Sequence, residues 1–358
     1  MTSRKNVAIV GAAGSCGRQL AVQLLDRKIL APDARLQLVA HHGGVSEFET
    51  HGLKADLRDA FADTAPTIEL IDQPEQLDAD ILVMLAGSTV PTDPTQNVDR
   101  VALARTNLRI FTAFANELSR RKDAPPLVIV QSNPVELGVE VFSRAIDRHL
   151  VVGAGAYSDT IRFRREIADS LGVRRTDVTA VMLGQHGDNL IPAWSQVSVN
   201  GISPDELAAW ISMQRDGRSL DRLAEEIIAY RNELLSYVAN RDVHGAFARV
   251  AELPPEIRAA VKPFLVHTTA GHTTEIVTAH SVADIIDIVV NGESTVLPLQ
   301  VMLDNEYLDL IGVGGVPVRL SSQGWTDVVD LTIAHDEVDA LRRAFAAVAA
   351  ISASVEGS

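Results

Sequence analysis

Four apolar residues, Val7-Ala8-Ile9-Val10, run straight into Gly11-Ala12-Ala13-Gly14-Ser15-Cys16-Gly17, and a helical pattern through Arg18-Gln19-Leu20-Ala21-Val22-Gln23-Leu24-Leu25 follows at once. This order of strand, glycine turn and helix permits few architectures, because a strand without polar alternation must be covered on both faces. Gly11 permits the tight turn, Gly14 lets phosphates approach the backbone, and Gly17 lets the helix lie close to the sheet. The helix N-terminus then offers N–H groups and partial positive charge to an anion. A plain strand–helix turn has the same outline, so the flanking pattern has to carry the reading.

That pattern is consistent. Leu36-Gln37-Leu38-Val39-Ala40, Ile81-Leu82-Val83-Met84-Leu85 and Leu127-Val128-Ile129-Val130 are further apolar runs separated by helical stretches. Alternation of this kind predicts an α/β fold with an N-terminal doubly wound parallel sheet. The pattern switches near residue 150. A helix bearing Arg162, Phe163 and Arg164 follows, then a strand-like run from Val178 to Leu183. Residues 203–262 read as an extended helical segment, followed by a helix over 276–290, strands over 297–303 and 316–320, and a last helix over 337–351. The expected division is residues 1–150 as a dinucleotide-binding domain and 151–358 as a substrate-binding, catalytic α+β domain. Ser352 to Ser358 are small and polar and are expected to fray.

The 358 residues carry a formal net charge of −15, which argues against nucleic-acid and anionic membrane surfaces as partners. Cys16 is the only cysteine, so no intramolecular disulfide can form. No apolar run reaches the length of a membrane helix, and none suggests a signal peptide, so a cytoplasmic protein is expected. Cys16 reads as a small packing residue; the minority alternative is a thiol activated by the helix N-terminus.

The second chemical motif is Gly184-Gln185-His186-Gly187-Asp188, with Asp159-Thr160-Ile161-Arg162 upstream. It offers an imidazole, a carboxylate to orient it and a guanidinium fork for a carboxylate substrate. A surface ion pair between Asp159 and Arg162 is the bland alternative. Paired with the glycine loop, the set suggests proton transfer coupled to hydride transfer with a nicotinamide.

With these motifs in order, the chain resembles the lactate/malate dehydrogenase family. The resemblance also draws on Ala86-Gly87, Arg100 with Thr106-Asn107, Ser132-Asn133-Pro134-Val135, Gly315-Val316-Pro317-Val318 and Gly324. It implies a Rossmann-type first domain. It implies His186 as proton donor and acceptor, Asp159 as its orienting acid and Arg162 as the grip on the substrate carboxylate. It implies Arg100 as a mobile-loop cation that polarises the carbonyl, and Asn133 as an amide near both substrate and cofactor. Gly11, Gly14, Ser15, Cys16, Gly17, His41, Ala86, Gly87 and Asn107 complete the expected cofactor contacts. No metal is expected. The resemblance further implies a small 2-hydroxy or 2-keto acid as substrate, NAD or NADP as cofactor, and a homodimer or homotetramer as the assembly.

Two departures stand out. At the end of the second strand, where an acidic residue would hold the adenosine ribose, the chain reads Ala40-His41-His42-Gly43-Gly44-Val45-Ser46. The histidines and Ser46 could face a ribose phosphate, which favours NADP, or Glu47 or Glu49 could fold back to the ribose, which favours NAD. The specificity loop reads Val90-Pro91-Thr92-Asp93-Pro94, with Thr92 where malate-specific members carry a second arginine. Asp93 would repel a distal carboxylate. The departure favours a substrate with a non-anionic far end. An authentic malate dehydrogenase with a relocated arginine is the first alternative, and a non-catalytic nucleotide-binding paralogue the second. Thr273 is a candidate pocket wall, and Ser158 is expected to add polarity to the pocket.

Overall fold

The computed structural model describes residues 4–88, 100–271 and 274–356. Its first half alternates strands and helices: β1 (Val7–Val10), α1 (Ser15–Asp26), β2 (Arg35–Val39), α2 (Val45–Ala60), β3 (Thr67–Ile71), β4 (Ile81–Met84), α3 (Arg100–Arg120), β5 (Leu127–Val130), α4 (Val135–Ala145) and β6 (Val151–Gly153). All six strands pair in parallel in the order β3-β2-β1-β4-β5-β6. The order reverses between β1 and β4. The C-terminal ends of those two strands therefore open a crevice, the usual ligand position in such a sheet. Gly11 leaves β1 and Ala86 leaves β4 at that point.

The second half begins with α5 (Gly155–Leu171). Then come β7 (Val178–Thr179), β8 (Met182–Gly184), β9 (Leu190–Pro192), β10 (Ser198–Val199), α6 (Pro204–Arg215), α7 (Leu223–Ala239), α8 (Val243–Ala251), α9 (Pro255–Ala270) and α10 (Glu275–Asn291). β11 (Thr295–Asp304), β12 (Ile311–Ser321), β13 (Gly324–Val328) and α11 (His335–Glu356) close the chain. β11 joins β6 antiparallel, and β12, β8 and β9 continue the same sheet outward. One sheet thus runs from the glycine loop to the His186 turn, which fixes the distance between them.

α5 is the helix on which the site is built. Ser158, Asp159, Thr160, Ile161, Phe163, Glu166 and Ile167 are all buried, so most of its circumference is covered. The Met182 N–H donates to Thr160 Oγ1 at 2.8 Å, which docks β8 on α5 one turn of chain before His186. From behind, Arg258 Nε and Lys262 Nζ on α9 hold the buried Glu166 carboxylate at 2.7 and 2.6 Å. The helical segment has its own apolar core, in which Phe163 meets Trp194 edge to face at 5.0 Å and Ile227, Leu234, Ile257 and Leu265 pack around them. Each such fully buried side chain contributes about 1.5–3 kcal/mol of transfer free energy.

Three expectations change. The tail is not frayed through Ser352: α11 runs to Glu356, with Ser352 and Val355 buried and Val355 packed with Ala104 and Leu137. The run Val178–Leu183 is split into β7 and β8, which pair with different strands. Ser158 does not add polarity to a pocket. Its hydroxyl is fully buried between Ala154 O at 3.0 Å and Ser281 Oγ at 2.7 Å, so it joins α5 to α10.

Candidate active site

Asp159 and Arg162 are one turn apart on α5, and both face the turn between β8 and β9. Arg162 Nη1 donates to Asp159 Oδ1 at 3.0 Å, and Asp159 Oδ2 lies 2.8 Å from His186 Nδ1. The side chains of Asp159, Arg162 and His186 are 6, 12 and 16 % exposed, so this is a largely buried triad built on a buried carboxylate and not a surface ion pair. Arg162 Nη2 also donates to Thr274 Oγ1 at 2.9 Å. A guanidinium has five N–H groups, so three remain for a substrate carboxylate.

His186 reaches this position because the turn is sharply folded. Gly184 and Gly187 take φ of 81° and 101°, and Gln185 and Asn189 close the turn through backbone and side-chain hydrogen bonds at 3.1 and 2.5 Å. Its ring lies directly on the start of α5: a Cβ at Gly155 would stand 2.7 Å from His186 Cγ. Asp188 forms an ion pair with Arg231 of α7, so the extended helical segment touches the turn that carries the imidazole.

The charges are coupled. Burial pulls the His186 imidazole down, but the Asp159 charge and hydrogen bond, with Glu136 behind them, outweigh it; the net displacement is upward, against Arg162. Burial pushes Asp159 up, and His186 and Arg162 outweigh that, leaving it below the usual carboxylate range. Asp159 therefore stays ionised and stabilises imidazolium. Glu136 is a functional candidate that sequence reasoning missed: its Oε1 accepts the His186 backbone N–H at 2.7 Å.

At the other end, the glycine loop has the close approaches a dinucleotide cradle needs. Gly11 has φ of 85°, and a Cβ there would lie 2.7 Å from Ala86 N; one at Gly17 would lie 2.4 Å from Gly11 O. Gly14 precedes α1 as its cap residue, with no side chain bonded to the first turn and no acid within it. The N–H groups of Ser15, Cys16 and Gly17 stand in that first turn, where a helix has no internal acceptors for them. The residues present fit a pyrophosphate.

Cys16 is not an activated thiol. Burial pushes it up to about 11, against a Ser15 hydrogen bond that lowers it. Asn107 is buried, and its amide bonds to Ser88 N–H, Ser88 O and Asn133 O at 2.7, 3.0 and 2.6 Å. It ties the loop after β4 to the loop after β5, beside Gly87, whose Cβ would meet it at 3.0 Å. Asn133 keeps its side chain exposed. At the end of β2, His41 is exposed and its N–H donates to Ser46 Oγ at 3.2 Å. His42 Nδ1 lies 2.6 Å from Asp72 Oδ2, and Glu47 folds back to accept the Gly43 N–H at 2.6 Å. His42, Glu47 and Asp72 are the one metal-ligand cluster among the described residues, and these bonds already occupy it. Thr92, Asp93 and Thr273 lie outside the described residues, as does the side chain of Arg100, whose backbone opens α3. No helix among the described residues is long and apolar enough to cross a membrane.

Comparison with known proteins agrees with this geometry. Residues 5–152 match the family profile described as lactate/malate dehydrogenase, NAD binding domain. The chain is 31% identical over 346 residues to a malate dehydrogenase of Halobacterium salinarum, covering 94% of this chain and 95% of that one. It is 25% identical over 347 residues, with the same coverage, to an L-2-hydroxycarboxylate dehydrogenase (NAD(P)(+)) of Methanocaldococcus jannaschii. Among solved structures, the lactate dehydrogenase of Cryptosporidium parvum complexed with lactic acid and nicotinamide adenine dinucleotide shares the fold, with a TM-score of 0.77 over the full length of both chains at 20% identity. With its sheet order, its buried imidazole–carboxylate–guanidinium set and these relatives, the chain belongs to the lactate/malate dehydrogenase family.

Proposed function

We propose that this protein interconverts a small 2-hydroxy acid and its 2-keto acid with NAD, and that His186 handles the proton. The observation that carries the reading is Asp159, which bridges His186 and Arg162 in a buried site. Asp159 fixes the tautomer in which Nδ1 carries the proton, leaving Nε2 to face the substrate oxygen. In keto acid reduction the imidazolium gives its Nε2 proton to the carbonyl oxygen; in hydroxy acid oxidation the neutral ring takes that proton back. Arg162 pins the carboxylate, and burial of all three groups keeps water from competing. NAD, when bound, supplies or accepts the hydride.

Gly11, Gly14, Ser15, Cys16 and Gly17 would hold the pyrophosphate, and Ala86, Gly87 and Asn133 the nicotinamide half. Asn107 would act there by fixing both loops. His41 would border the adenosine ribose. Glu47 and Asp72 at that end supply negative charge that opposes a 2′-phosphate, which supports NAD over NADP. We take the N-terminal half to residue 150 as the cofactor domain and 151–358 as the substrate domain, and expect a homodimer or homotetramer. Arg100, Thr92 and Thr273 would line the substrate side. The Asp93 charge supports a substrate whose far end is not a carboxylate.

The test is oxidation of NADH and NADPH against a panel of 2-keto acids that includes pyruvate and oxaloacetate. Turnover of at least one acid, with NADH favoured, is expected. Silence across the panel while NADH still binds would overturn the reading in favour of a nucleotide-binding paralogue.

A further inference from the structure

His186 is held at two points, and only one of them belongs to the Asp159 pair. Glu136 stands in the first turn of α4, two residues after Pro134, and is 3% exposed. Besides the His186 N–H, its Oε1 faces Gln300 Nε2 at 3.4 Å. Gln300, in β11 and fully buried, accepts the Ala156 N–H on Oε1 at 3.1 Å. This couple therefore joins three segments: the start of α4 beside Asn133, the first turn of α5, and the His186 turn. Glycines leave it room. A Cβ at Gly153 would meet Gln300 Cβ at 2.8 Å, and one at Gly155 would meet His186 Cβ at 2.8 Å and Gln300 Nε2 at 3.1 Å.

A buried carboxylate is costly, and a neutral glutamine could accept the same N–H. The charge has a use only if a cation forms beside it, and the nearest group that alternates between neutral and cationic is His186. The charged groups facing His186 among the described residues are Asp159 and Arg162 from α5 and Glu136 from α4; β11 contributes the neutral Gln300. Burial, with the Asp159 charge, pushes Glu136 up; the imidazolium and the His186 N–H offset this only in part, so the net displacement is upward and the Glu136 charge is held chiefly when His186 is cationic.

Resting on the oxidoreductase reading above, we propose that Glu136, steadied by Gln300, is a positioning residue that fixes the His186 main chain against Asp159 and biases the imidazole toward its cationic form. The Glu136→Gln variant tests this, through the pH profile of keto acid reduction and the NMR titration of the His186 ring in the full chain. The expected result is an alkaline limb and a ring titration that both move to lower pH. Turnover at the alkaline end should fall roughly tenfold further than at neutral pH, with NADH affinity unchanged. Glu136→Asp, which keeps the charge but shortens the reach, should restore the position of the limb while its plateau stays below wild type. A wild-type limb and ring titration in Glu136→Gln would overturn the proposal even if the plateau dropped, since a purely structural residue lowers turnover without moving a titration. If Glu136→Gln does not fold, Gln300→Met, which keeps the volume and removes the N–H that steadies the carboxylate, decides by the same readouts: a limb and ring titration moved to lower pH support the proposal, and wild-type values in both overturn it. A wild-type protein silent on the keto acid panel refutes the oxidoreductase reading instead, while the ring titration still reads the effect of Glu136 on His186.

Discussion

Asp159→Asn isolates the chemistry at nearly constant shape. In the native arrangement one carboxylate oxygen takes the Arg162 N–H at 3.0 Å and the other the His186 Nδ1–H at 2.8 Å. An asparagine has one acceptor and one donor end. Arg162 can only donate, so the carbonyl must turn to it, and the amide N–H then points at His186 Nδ1. The ring must become the Nε2–H tautomer, which has no free nitrogen for the substrate hydroxyl. Loss of a charge-assisted hydrogen bond costs the imidazolium about 1.5–3 kcal/mol, or roughly ten- to a hundredfold. The wrong tautomer adds to this, so kcat for hydroxy acid oxidation should fall roughly 10³-fold overall. Steady-state kinetics with a saturating substrate from the panel, beside NADH binding by fluorescence, measures both effects. NADH affinity should survive, because Asp159 does not touch the glycine loop. A variant within about fivefold of wild type, correctly folded, would refute the role of Asp159 and with it the triad.

Two other perturbations have signed outcomes. The upward displacement of His186 means that imidazolium, the form needed for keto acid reduction, persists above the ordinary imidazole range. The alkaline limb of kcat/KM for reduction should therefore lie above that range and move down in Asp159→Asn, and an alkaline limb inside the ordinary range would contradict the coupling. Gly17→Ala places a Cβ 2.4 Å from Gly11 O and 2.7 Å from Ala12 Cα. Backbone on both sides cannot give cheaply, so α1 must move off the loop, at a cost of about 1–3 kcal/mol in stability and at least about tenfold in NADH affinity. Thermal melting and calorimetric titration check the two losses, and wild-type affinity would remove the glycine loop from cofactor binding.

The parts of the site that were legible in the sequence are those whose chemistry is local. The glycine loop reveals itself because turn, cradle and helix start occupy seven consecutive residues, and Asp159 and Arg162 because a helix places residues three apart on one side. Gln300 was not legible: it sits in Leu297-Pro298-Leu299-Gln300-Val301, which reads as an apolar strand, and its partner lies 164 residues earlier. Glu136 was overlooked for a related reason. On an amphipathic helix an acid in the first turn reads as a dipole partner, and nothing in its neighbours says that the His186 turn will cover it. β3 was missed because Thr67-Ile68-Glu69-Leu70-Ile71 is short and half polar, as suits the outermost strand of the parallel sheet. The buried end of α11 escaped because Ser352-Ala353-Ser354 carries no apolar signal. The contact that buries it comes from Ala104 and Leu137, which are distant in the chain.

The helical segment reaches the His186 turn through the Arg231–Asp188 ion pair. It does bring an arginine to the His186 turn, as a relocated distal cation would require, but Arg231 is already held by Asp188. A guanidinium paired with a carboxylate presents little net charge to a third group, and separating a partly buried pair to serve a substrate would leave Asp188 beside the incoming anion. The geometry thus assigns Arg231 to fixing the turn that carries the imidazole. A substrate with one carboxylate is met by Arg162 alone, so faster NADH oxidation with pyruvate than with oxaloacetate is the outcome expected if Thr92 and Asp93 stand where the proposed function puts them, and the reverse preference would refute that placement.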